Sequence, residues 1–145
     1  MSKTSTSPSS ASTSTVYPTP VASSAVELVD NSCPLDTILT TSGNALWYKC
    51  YTSSDMRNGD IMAIQTFSLQ PCVDACTFMN TMSGKKTCIA ISMDSRMSRL
   101  YGMRGANCWL KGNGTGPVQK EESSTVARLC VNPDCNELID NADPN

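Results

Sequence analysis

The eight cysteines of this chain, Cys33, Cys50, Cys72, Cys76, Cys88, Cys108, Cys130 and Cys135, fall in one continuous segment, and nothing else in the sequence constrains the fold as tightly. An even number of cysteines gathered this way predicts a disulfide framework made in an oxidising compartment, because reducing compartments keep thiols free. With 39% hydrophobic and only 6% aromatic residues, the chain has a modest core to bury, and cross-links compensate for that. One rival use of the sulfurs is zinc, since Cys72 and Cys76, and Cys130 and Cys135, are short-spaced pairs. Structural zinc sites favour two turn-borne pairs with about two residues between the cysteines, whereas Cys72 and Cys76 stand one helical turn apart, so disulfides are the expectation.

The chain contains no histidine, which removes serine-histidine and cysteine-histidine catalysis and histidine-ligated zinc. The acidic candidates Asp60, Asp74 and Asp94 lie in different segments with no pairing that spacing defines, and no nucleophile stands beside a base. The expectation is a non-enzymatic protein with no cofactor and no metal. A net charge of −2 gives no overall electrostatic attraction to nucleic acid or to an anionic membrane.

Residues 1–32 are dominated by Ser and Thr with Pro8, Pro18 and Pro20, a composition that cannot bury enough apolar area to offset the entropy of ordering. This segment reads as a disordered Ser/Thr/Pro-rich stalk, a habitual site of O-glycosylation, or else as a plain flexible linker. The folded domain is expected over 33–135, followed by an acidic flexible tail over 136–145 containing Glu137, Asp140 and Asp143. No stretch has the charged and apolar regions of a secretory signal, so the chain reads as a fragment or a mature form. No apolar run is long enough to cross a membrane as a helix.

Only one segment carries a strong helical pattern. Ser68 is a fitting N-cap and Pro71 lies in the first turn. Leu69, Cys72, Val73, Cys76 and Met79 then make an apolar stripe, with both cysteines on the buried face. Residues 45–52, 60–65, 87–93, 107–111 and 125–131 are short, apolar or alternating runs bounded by turn formers, and read as strands. The expected fold is therefore α+β, with one helix packed on an antiparallel sheet. Trp47, Tyr48, Phe67 and Trp109 are expected in the core, and Tyr51 and Tyr101 at the surface.

Four stretches in order, Asn58-Gly59-Asp60-Ile61, Ser68 to Cys76 with its Cys-x3-Cys, Cys88-Ile89-Ala90-Ile91-Ser92 and Asn107-Cys108-Trp109-Leu110-Lys111, together resemble a PAN/Apple domain. The closest likeness is to its fungal secreted branch. Cys33-Pro34 resembles that branch's opening, Trp47-Tyr48-Lys49-Cys50 its strand ending in cysteine, and Ala127-Arg128-Leu129 its last strand. Asn58, where a glycine is usual, and the pair Cys130 and Cys135 stand outside the pattern. The resemblance implies a small disulfide-rich fold with one helix on a curved antiparallel sheet. It also implies that Cys72 joins Cys108 and Cys76 joins Cys88. The outer four cysteines stay open between Cys33 with Cys50 and Cys130 with Cys135, which keeps the loops local, and Cys50 with Cys130, which joins the ends of the domain.

The resemblance further implies a non-catalytic extracellular binding module, secreted or held at the cell surface or cell wall, that engages a protein or a carbohydrate. The alternative is a secreted cysteine-rich structural protein of the cell wall or host interface with no single ligand. From Lys85 to Lys111 six basic residues stand against the single acidic Asp94, so the domain is polarised. The loop from Met93 to Ala106, carrying Arg96, Arg99, Tyr101 and Arg104, is the candidate contact for an acidic protein surface or an anionic glycan. The other reading of these charges is a solvated loop. Asn113-Gly114-Thr115 is the chain's N-glycosylation sequon, placed in a glycine-rich loop that is expected to be exposed.

Overall fold

The computed structural model describes residues 22, 25–33, 37–39 and 46–143. Most of the expected stalk, residues 1–21 and 23–24, therefore lies outside the described residues, as do 144–145. Six strands form one sheet in the order β1 (Thr37–Leu39), β2 (Trp47–Tyr51), β8 (Ser124–Leu129), β5 (Ala90–Asp94), β6 (Cys108–Lys111) and β4 (Asp60–Ile64). Every neighbouring pair in that order is antiparallel. A second, two-stranded ribbon pairs β3 (Ser54–Met56) with β7 (Val118–Lys120). The long helix α1 (Leu69–Ser83) packs on one face of the large sheet, and a short helix α2 (Met97–Arg104) follows β5.

Strand periodicity sorts the sheet residues between two faces. Tyr48, Ile91, Met93, Cys108, Leu110, Ala127 and Leu129 form one buried cluster with Leu69, Cys72, Val73 and Cys76 of α1. On the opposite face Ala90 and Val126 pack with Met56 of the ribbon. All of β5 is buried because both of its faces are covered.

Ser68 precedes α1 in extended backbone, and Gly84 ends the helix at φ +73°, with its N–H donating to the Asn80 carbonyl at 2.9 Å. The helix runs past the apolar stripe because its buried face continues in polar residues that find partners. Thr77 Oγ1 hydrogen-bonds the Tyr48 hydroxyl at 2.8 Å. Asn80 accepts from the Cys88 N–H at 2.7 Å and donates to the Cys88 carbonyl at 2.8 Å. Burial, and the acidic Asp74 nearby, push the Tyr48 hydroxyl far above the ordinary tyrosine range despite the hydrogen bond to Thr77.

All eight cysteines are paired. Cys72 joins α1 to β6 through Cys108, with 5.9 Å between Cα atoms, and Cys76 joins α1 to Cys88 ahead of β5, at 5.4 Å. Cys33 pairs with Cys50, and Cys130 with Cys135. The middle two bonds are those implied by the resemblance, and the outer two follow the local alternative. No sulfur is left as a thiolate for zinc.

Several expectations need correction. The stretch from Met93 to Ala106 is not a loop, since α2 occupies most of it. Met97 and Leu100 are buried there, and Gly105 caps the helix at φ +70°. Arg96 is a poor N-cap and Gly102, inside the helix, lowers its propensity, which hides its pattern in the sequence. Phe67 is exposed just ahead of α1, where the disulfides and aliphatic side chains already fill the core. Strands β1, β3 and β7, of three residues each, were too short for an alternating pattern to register.

Contacts of the body also extend beyond residues 33–135 on both sides. Val29 N–H donates to the Ser95 carbonyl at 2.8 Å, and the Asn31 amide donates to the carbonyls of Met93 and Ser123, so the ordered body begins ahead of Cys33. Residues 136–143 are in contact with the body. The Cys130–Cys135 turn sends the chain back, Ile139 packs on the core, and its N–H donates to the Leu129 carbonyl at 2.9 Å.

Candidate functional site

On the face of the sheet opposite α1, a cleft of about 550 Å3 opens between α2 and the β3 end of the ribbon. Helical spacing builds one wall, where Arg96, Arg99, Leu100, Met103 and Arg104 all line the cleft from one side of α2. Asp55, Arg57 and Asn58 line it from the ribbon side, and Trp109 and Lys111 from β6, where strand alternation turns them away from α1. Tyr101 is exposed and is not among the lining residues, because it projects from another side of the helix. The structure thus brings Arg96, Arg99 and Arg104 together and leaves Tyr101 apart.

Much of the charge in the cleft is spent on the fold. Asp94, at the end of β5, accepts from the Arg96 backbone N–H at 2.9 Å and from the Arg96 guanidinium at 3.0 and 2.6 Å. It also accepts from the Ser123 hydroxyl at 3.2 Å. Burial alone would raise the Asp94 carboxyl, but the hydrogen bonds and charge of Arg96 outweigh it and hold the group below the ordinary aspartate value. The same contacts push Arg96 up. Lys111 is buried, donates to the Asn58 carbonyl at 3.2 Å and pairs with Asp60. Asp55 accepts a hydrogen bond from Ser92, which ties β3 to β5.

The Asn58-Gly59 turn that presents Arg57 and Asp60 has positive φ at both residues, +64° and +74°. A Cβ on Gly59 would lie 2.7 Å from the Thr115 backbone nitrogen, so the turn packs against the sequon loop only because that position is glycine.

Three side chains remain uncommitted. Among the described residues, Arg57, Arg99 and Arg104 make no ion pair, and all three line the cleft. Trp109 and Met103 give it apolar surface, and Glu121 lines it as well. Arg57 was missed in the sequence because it stands alone, far from the basic run, and only the fold brings it to the others. Trp109, expected in the core, lines the cleft instead. Asp60 and Asp94 both line the cleft, and each carboxylate is paired with a cation, Asp60 with Lys111 and Asp94 with Arg96. Lys86 is set elsewhere, donating its N–H to Asp143.

No family model, no curated protein and no solved structure matches this chain.

Proposed function

We propose that the chain is a non-catalytic extracellular binding module of the PAN/Apple kind, and that the cleft between α2 and β3 engages an acidic partner, either a protein surface or an anionic glycan. The observation that carries this reading is the convergence of Arg57, Arg99 and Arg104, all without an ion-pair partner, beside Trp109. Guanidinium groups recognise carboxylate and sulfate through paired hydrogen bonds, and an indole face gives apolar contact to a sugar ring or a side chain. The PAN/Apple assignment is supported by the ordered motifs and by the two disulfides that pin α1 to the sheet. The four disulfides favour a secreted or surface location.

Binding of the disulfide-bonded protein to immobilised heparin and to an acidic peptide set tests the proposal. Retention is expected to weaken with salt, as screening of an exposed charged contact requires. Replacing Arg57, Arg99 and Arg104 with Gln should cost about tenfold in affinity per arginine lost. Binding unchanged in the triple variant would remove the cleft from the reading, and binding to neither probe would favour a structural protein without one ligand.

A further inference from the structure

The chain's sequon is built into the fold as a fastening. Asn113 Oδ1 accepts from the Ala142 N–H at 2.8 Å, and Asn113 Nδ2 lies 3.5 Å from the Ala142 carbonyl oxygen in donor geometry. Around that contact the C-terminal segment is held at three more points. Asp143 N–H donates to the Lys86 carbonyl at 2.8 Å, the Lys86 N–H donates to Asp143 at 2.7 Å, and Arg128 pairs with Asp140 at 3.0 Å. A groove of about 260 Å3 lies beside it, lined by Gly112, Gly114, Thr115, Arg128, Asp140 and Asn141. The other functional side chain of the sequon is engaged too, since the Thr115 hydroxyl donates to the Gly112 carbonyl at 2.7 Å.

We infer that glycosylation of Asn113 and docking of residues 138–143 exclude one another, so that the sequon works as a latch for the C-terminal segment. The physical reason lies in the amide. Pairing with both the N–H and the carbonyl of one residue uses the Nδ2 hydrogen on the same side as Oδ1. A substituted amide places its carbon substituent on that side, as a trans peptide does. The first sugar therefore takes the position that faces Ala142. In the transfer, Nδ2 forms a bond to the anomeric carbon as that carbon's bond to a diphosphate leaving group breaks, and Nδ2 loses one proton. The diphosphate-linked oligosaccharide donor comes from the secretory host. Modification before docking leaves the segment undocked, and docking before modification withholds Nδ2.

The inference takes from the proposed function only passage through a secretory pathway, which any glycosylating eukaryotic host supplies, so it stands or falls apart from ligand binding. The full chain, Ala142→Pro and Asn113→Asp are expressed in such a host. Occupancy is read as the mass lost to an N-glycan-cleaving enzyme, and docking as hydrogen exchange at Ala142 and Asp143. Proline removes the N–H that Asn113 accepts, so occupancy should rise in Ala142→Pro wherever the parent is incompletely modified, and severalfold where the parent is mostly unmodified. In the glycosylated parent the Ala142 amide should exchange about tenfold faster than in the unmodified parent or in Asn113→Asp, the factor expected for one lost hydrogen bond. Asn113→Asp cannot carry the glycan but keeps the acceptor, so it should stay protected. Equal protection of Ala142 with and without the glycan overturns the inference, as does absence of the glycan from both the parent and Ala142→Pro.

Discussion

Asn80 illustrates how single polar residues finish what apolar patterning begins. Its side-chain amide pairs with both backbone groups of Cys88, the residue that is also bonded through sulfur to Cys76 one helical turn away. The amide thus supplies the partner that a neighbouring strand would otherwise give. Asn80→Ala leaves a buried N–H and a buried carbonyl unpaired and is expected to cost about 2–4 kcal/mol in denaturant unfolding, whereas Asn80→Asp, which keeps the acceptor, should cost less. A loss under about 0.5 kcal/mol in Asn80→Ala would mean that water replaces the amide. Nothing in the sequence distinguishes Asn80 from an ordinary helix-terminating asparagine. Arg57 teaches the same lesson for the site, since its role depends on a turn that carries it to α2.

At the scale of elements, α1 was legible because its stripe, its N-cap and Pro71 agree, and its two disulfides fix it to the sheet at successive turns. The four bonds close loops of very different length, with sequence separations of 36, 17, 12 and 5. In the chain-entropy account the longest loop contributes about 4 kcal/mol and the shortest about 2. Replacing Cys72 and Cys108 together by Ala should therefore lower the unfolding free energy more than replacing Cys130 and Cys135. The first pair is also fully buried and removes core volume. Equal losses in urea unfolding would show that the Cys130–Cys135 turn, which returns Ile139 to the core, matters more than its loop length implies. The short helix α2 was illegible for the opposite reason, because its stability comes from burial of Met97 and Leu100 and from the glycine cap, not from propensity.

For the molecule as a whole, the absence of histidine shapes the response to pH. Stability should be nearly flat from about pH 5 to pH 8, where no unperturbed side chain of this composition titrates. Asp94 is held below its ordinary value in the folded state, so the unfolded chain takes up its proton first as pH falls. The stabilisation from Asp94 is present above that ordinary value, near 3.8, and is lost as pH drops through the folded one. Melting temperature should accordingly fall below about pH 4, and Asp94→Asn should blunt that fall while lowering stability at neutral pH. A midpoint that moves instead between pH 6 and 7 would contradict this assignment.

By itself the sequence determined the class of the protein: a cross-linked α+β domain with one strong helix, an exposed sequon and no histidine chemistry. Those properties rest on residue counts and on periodicities that repeat within a few positions, which local chain geometry imposes. Only the tertiary structure decided that Arg57 joins Arg99 and Arg104, that Arg96 is committed to Asp94, and that residues 136–143 fold back onto the body. It also decided that the sequon holds the C-terminal segment through Ala142. Each of these contacts joins side chains or backbone groups from separate elements, and the sheet order that brings them together leaves no signature at short range.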